Sequence, residues 1–263
     1  MIRRGSDSRL PIGWLSLLMV GMLAGCARVE TRAPALPAAA ELSATPFFPQ
    51  RDFECGPAAL ATVLAASGVP VSADDLTREV YLPDRRGSLQ AEMLATARRH
   101  RRIAYPVQGL ADLVAQLRAG TPVVVLQRLG SWPLQTWHYA VVIGFDPARR
   151  EMVLRSGTEH RRVLDLKAFL RSWEAGGDWA FVALRPGQLP AQPDAGRYLA
   201  ATAAAESSLS AAQRAAAYRA ATATWPALAT AHFALGNSLR EQRLNATAEA
   251  SWRMAIALQP GHA

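Results

Sequence analysis

Three side chains in this sequence have types and settings that fit chemistry: Cys55, His138 and Gln50. Cys55 stands in Gln50-Arg51-Asp52-Phe53-Glu54-Cys55-Gly56-Pro57-Ala58-Ala59-Leu60. The residues after it, with Leu60, Val63 and Leu64 at helical spacing, predict a helix over 56–67 that Gly68 ends. Pro57 suits a first turn, where no backbone N–H is needed. Cys55 therefore falls at or just before a helix N-terminus, whose unpaired N–H groups and dipole favour a thiolate. A neighbouring imidazolium would favour it further. His138 opens the run His138-Tyr139-Ala140-Val141-Val142-Ile143-Gly144, a buried strand by composition, and would supply that group if the sheet brings it alongside. Gln50 lies five residues before the cysteine. Its amide, with the Cys55 backbone N–H, would form an oxyanion hole for a tetrahedral intermediate.

The chain holds one other cysteine, Cys26, at the end of Leu23-Ala24-Gly25-Cys26. Arg3, Arg4 and Arg9 precede an apolar stretch from Ile12 to Leu23, shorter than the roughly 20 residues of a membrane-spanning helix. Residues 1–25 are thus expected to be a signal peptide, and the segment resembles the lipobox of bacterial lipoproteins. That resemblance implies a lipid on Cys26, cleavage before it, and a protein anchored to a membrane in the cell envelope. Ala27 stands where an inner-membrane retention signal would place Asp, which implies the outer membrane, facing the periplasm. Cys55 is then the one free thiol of an exported protein and has no partner for an intrachain disulfide. Residues 26–45, rich in Ala and Pro, are expected to be a flexible tether.

The full chain carries 29 basic and 21 acidic residues. Without residues 1–25 the balance becomes 26 against 20, a charge of +6 that aids solubility and favours an anionic membrane surface. Nucleic acid is not an expected partner, because no basic stripe is interleaved with aromatics.

Two regions follow the tether. Residues 46–186 mix helical and strand patterns, 187–194 form a Pro/Gly/Gln linker, and 195–263 are alanine-rich and helical. Further helices are expected near 73–81, 88–100 and 110–118. Strands are expected at 122–127, 138–144, 151–155, 161–164 and 179–184, with a helix near 165–173 that Asp165 would cap. Helices first and an antiparallel sheet after them give an α+β class.

Gln50, the run Cys55-Gly56-Pro57-Ala58-Ala59-Leu60, and then His138-Tyr139 with its valines resemble the bacteriocin-processing cysteine peptidases, which cleave double-glycine leaders. The likeness spans roughly residues 46–184. It implies a papain-like fold, a peptide or protein substrate, no metal or cofactor, and roles for Cys55 as nucleophile, His138 as general base and acid, and Gln50 as oxyanion residue. One departure is plain. The family carries an Asp at the end of the strand after the histidine strand, whereas this chain reads Leu154-Arg155-Ser156-Gly157-Thr158-Glu159 there, with no carboxylate in line. Two other readings stand beside the peptidase. One is an inactive papain-like lipoprotein that binds peptides. The other is a peptidoglycan amidase or endopeptidase, although that group tends to show Asp-Cys-Ser where this chain has Glu54-Cys55-Gly56.

In the tail, Tyr218, Ala221 and Pro226 recur 34 residues later as Trp252, Ala255 and Pro260. Leu235, Gly236, Leu239 and Ala248 complete a second unit that resembles the tetratricopeptide repeat, while Arg214 replaces a small residue in the first. That likeness implies a protein partner or packing on the first region. His100, His160, His232 and His262 show no ligand spacing. Trp132 and Trp137 lie just before His138, where packing is the expected role and a groove wall the other.

Overall fold

The computed structural model describes residues 39–130 and 133–259. The signal segment, Cys26, most of the tether, Trp132, Pro260 and His262 lie outside the described residues. Residues 38–263 form one compact unit.

The elements run in chain order as β1 (Ala40–Glu41), α1 (Cys55–Ala66), α2 (Ala73–Val80), α3 (Gln90–Arg99), β2 (Ile103–Pro106), α4 (Gly109–Arg118), β3 (Val123–Leu129), β4 (Thr136–Asp146), β5 (Glu151–Ser156), β6 (Glu159–Asp165), α5 (Leu166–Glu174), β7 (Ala180–Leu184), α6 (Ala195–Ala205), α7 (Ala211–Thr224), α8 (Ala229–Glu241) and α9 (Asn245–Leu258). The strands form an antiparallel sheet in the order β2-β7-β3-β4-β5-β6, and β1 pairs with β4 near its end. Ala40 and Glu41, inside the stretch read as a tether, are thus part of the sheet.

The unbroken valine runs have a simple cause: both faces of the sheet are covered. Val124, Leu126, Tyr139, Val141 and Ile143 pack with α1, α2 and α3 through Leu60, Leu64, Leu76, Val80 and Met93. Their neighbours Val123, Val125, Ala140 and Val142 point the other way, as a period of two demands, onto α4 and α5 through Leu113, Leu117, Phe169 and Trp173. Asp165 caps α5 as expected, accepting hydrogen bonds from the Lys167 and Ala168 N–H groups at 2.9 and 3.2 Å.

The tail joins the second of these layers. Tyr198, Ala201, Ala205, Ala217 and Ala221 share one core cluster with Val125 and Trp173. Between α8 and α9, Gly236 lies where an added Cβ would stand 2.4 Å from the Trp252 ring, so the close approach of these helices needs the glycine. Arg214 is not a packing fault: its guanidinium donates to the carbonyls of Glu206 and Leu209 and pairs with Glu241.

Candidate active site

Cys55 is the first residue of α1. Pro57 has no N–H, so the first turn offers the Cys55 and Gly56 N–H groups, and both are directed at the thiol together with the Tyr139 N–H from β4. The glycine after the cysteine also has a packing reason. A Cβ on Gly56 would meet Ser88 Oγ at 2.3 Å and Ser88 Cβ at 2.6 Å. Ser88 is in turn held by the Tyr139 hydroxyl, which donates to the Ser88 carbonyl at 3.2 Å. Tyr139 stacks edge-on against Trp179, with ring centroids 5.5 Å apart.

His138 is buried on β4, opposite Gln127 of β3. Its Nε2 lies 2.8 Å from Ser156 Oγ, the last residue of β5. Ser156 thus occupies the strand end where a carboxylate was expected and none was found. Sequence reasoning missed it; the one available signal was that same position in the motif. With Nε2 engaged, Nδ1 is the ring nitrogen left for other work.

The end of β5 organises the rest. Gly157 accepts a hydrogen bond from the Gln50 N–H at 3.1 Å. The buried Arg155 guanidinium donates to the carbonyls of Ser43 and Thr45, both at 2.8 Å from Nη2, and so pins the segment that leads to Gln50. Three successive residues at the end of β5 and the turn after it, Arg155, Ser156 and Gly157, therefore hold in turn the segment leading to Gln50, His138 and Gln50 itself.

Cys55, His138 and Gln50 line a common groove of about 1230 Å³. Its walls include Phe53, Leu89, Trp137 and Trp179. Trp137 is 57% exposed, so it is a wall of the groove and not the packing residue expected from its strand. Phe53, two residues before Cys55, and Arg86 both have left-handed backbones, with φ of 64° and 47°, and the Arg86 guanidinium sits 5.6 Å over the Phe53 ring. Non-glycine residues seldom adopt that region, and such strain gathers at functional sites.

The electrostatics depart from expectation. Burial pushes the Cys55 thiol up, outweighing the three N–H groups that favour a thiolate. His138 is lowered to about 4, first by burial and then by the charge of Arg162. Neither shift includes the other group's charge. Taken singly, each shift favours the neutral form, a thiol and an imidazole, where a helix N-terminus and a cationic ring were expected to favour a thiolate and an imidazolium. A serine hydroxyl, unlike a carboxylate, adds no charge to hold an imidazolium and both donates and accepts, so it tolerates either ring tautomer. Among the described residues, no three His, Cys, Asp or Glu side chains gather as a metal site requires.

Comparison with known proteins gives the following. The family model described as Peptidase C39-like matches residues 43–181. A solved putative C39-like peptidase from Bacillus anthracis is 18% identical, covering 56% of this chain and 98% of its own with a TM-score of 0.45. The peptidase domain of Streptococcus ComA, a bi-functional ABC transporter involved in a quorum sensing pathway, is 21% identical, covering 54% and 99% with a TM-score of 0.44. No curated protein matches the chain. The architecture is the papain-like α+β arrangement followed by a helical part. With more than half its length inside that family model, the chain belongs to the Peptidase C39-like family.

Proposed function

We propose that this protein is a cysteine peptidase that cleaves peptide bonds through a thioester, exported and held at the outer membrane by a lipid on Cys26. The observation that carries the reading is the groove itself: it gathers a thiol at a helix start, a histidine and a glutamine, with the histidine braced 2.8 Å from Ser156. In this reading Cys55 Sγ attacks the peptide carbonyl while His138 Nδ1 takes the thiol proton. Gln50 and the Cys55 N–H receive the oxyanion. His138 then passes the proton to the leaving amine, and water hydrolyses the thioester with His138 again as base. Burial favours the neutral form of each group, so in this reading the proton moves as the S–C bond forms. The helical tail, in this reading, holds a protein partner.

The test is cleavage of an unbiased peptide mixture, read by mass spectrometry, with Cys55→Ala as the blank. New termini that vanish in the variant support the peptidase, and the same products from both proteins defeat it. One observation favours a second reading, a peptide-binding protein without turnover: Ser156 leaves His138 without a carboxylate. In that case peptides are retained by the groove uncut.

A further inference from the structure

A second feature lies at the opposite end of the sheet from the groove. The end of α3 and the turn after it read Arg98-Arg99-His100-Arg101-Arg102, and Arg185 follows β7. Arg99, Arg101 and Arg185 are exposed, and Arg98 and Arg102 are half-buried. Arg102 is fixed by the end of α1, donating to Ser67 Oγ and to its carbonyl at 2.8 and 2.9 Å. The carboxylate paired into the cluster is Glu79, shared by Arg99 and His100. Of the five arginines, Arg99 is the one paired with Glu79.

The strand register places this cluster beside the start of the fold. Ile103 faces Leu184, so Arg102 and Arg185 extend that pair one step past the ladder. Phe181 faces Val124, and Val123 faces Val142. Counting along these ladders brings Arg185 level with Phe145, and Phe145 faces Ala40. Gly144 pairs with Glu41 on one side and Val153 on the other, so β1 continues the line of β3. That line is two strand spacings from β2, about 10 Å. The turn after β4 carries Arg149 and the exposed Arg150 beside Asp146, Glu151 and Asp165, so the positive excess at this end stays with the cluster at α3 and β7. His138 lies seven residues along β4 from Phe145, about 23 Å away.

Cys26 stands 14 residues before Ala40. Even fully extended, that span reaches at most about 50 Å, so a lipid on Cys26 would keep the arginine end within reach of the bilayer. We propose that this end of the sheet is a membrane-binding face for anionic phospholipid headgroups, which turns the groove away from the bilayer. The proposal rests on the lipid-anchor reading. Each arginine near an anionic surface strengthens binding about fivefold.

The test uses residues 38–263, the compact unit without Cys26, and vesicles of phosphatidylcholine with or without phosphatidylglycerol. The expected result is salt-sensitive binding to the anionic vesicles and none to phosphatidylcholine alone. Arg101→Asn with Arg185→Gln, where Asn suits the left-handed backbone of Arg101 (φ 57°), should weaken binding about thirtyfold. Arg85→Gln with Arg86→Asn, at the groove end, should leave it unchanged. Equal binding by wild type and the Arg101/Arg185 variant, equal binding to both vesicles, or an equal loss from the groove-end pair would overturn the proposal. The mass of the N-terminal peptide of the full chain extracted from membranes reads the lipid on Cys26 separately, so failure of the anchor and failure of the face are told apart.

Discussion

The sheet region and the helical tail both depend on a glycine that lets a neighbour close on a helix, yet the consequences differ. At Gly56 the neighbour is Ser88, part of a chain of contacts that runs through Tyr139 to the thiol. At Gly236 it is the Trp252 ring, and the contact joins two helices with nothing reactive beside it. The sheet region is packed by valines, leucines and aromatics in two layers, which leaves its β4 and β5 ends rigid enough to hold His138 and Ser156. The tail closes on alanines with Tyr218, Leu235 and Leu239. Close packing thus positions the proposed nucleophile in one place and joins two helices in the other.

The comparison breaks most directly at the nucleophile. Cys55→Ala should cut peptide cleavage at least about a thousandfold while leaving the melting temperature nearly unchanged, as measured by initial rates and calorimetry. No residue of α6–α9 should have an effect of that size on the chemical step.

A second difference is pH. His138 is held neutral in the fold, with its value lowered from 6.5 to about 4, so the unfolded chain binds the proton more readily. Its contribution is fully present above pH 6.5 and is lost as the pH falls towards 4, by about 3 kcal/mol in all. Melts at pH 7 and pH 4.5 should show this loss, and His138→Gln should reduce it. Among the described residues, the tail holds no buried histidine as a counterpart.

The two glycines give a matched pair. Gly56→Ala and Gly236→Ala should each destabilise by about 1–3 kcal/mol through overpacking, less whatever helix propensity returns. Only Gly56→Ala should also change the rate of Cys55 alkylation, since it forces Ser88 and the first turn of α1 apart. A change in that rate from Gly236→Ala would show that the tail controls the groove.

The smallest expected effect is at Ser156. Ser156→Ala should lower the cleavage rate about tenfold by freeing the imidazole, with little change in KM.

Much of this was legible from local pattern. The Cys55 helix, the His138 strand and the Asp165 cap follow from spacing and composition that act over a few residues. β2 was missed because it is four residues long and ends at Pro106, giving too short a run to stand out. Ser156 was missed because its role depends on a hydrogen bond to a residue 18 positions away, set by strand pairing. The effect of burial on the two groups was missed for a related reason. The helix N-terminus is visible in sequence, but the burial that outweighs it exists only once the sheet and helices close.

The most direct measurement is the pH dependence of iodoacetamide alkylation at Cys55 in wild type and Ser156→Asp. The account predicts slow reaction at pH 7 in wild type, rising through a single step above the ordinary thiol value of about 8.5. It predicts that Ser156→Asp moves this step downward, since a carboxylate on Nε2 would hold an imidazolium beside the thiol. Fast alkylation in wild type that stays level down to pH 5 would show a thiolate–imidazolium pair at rest and contradict the neutral dyad.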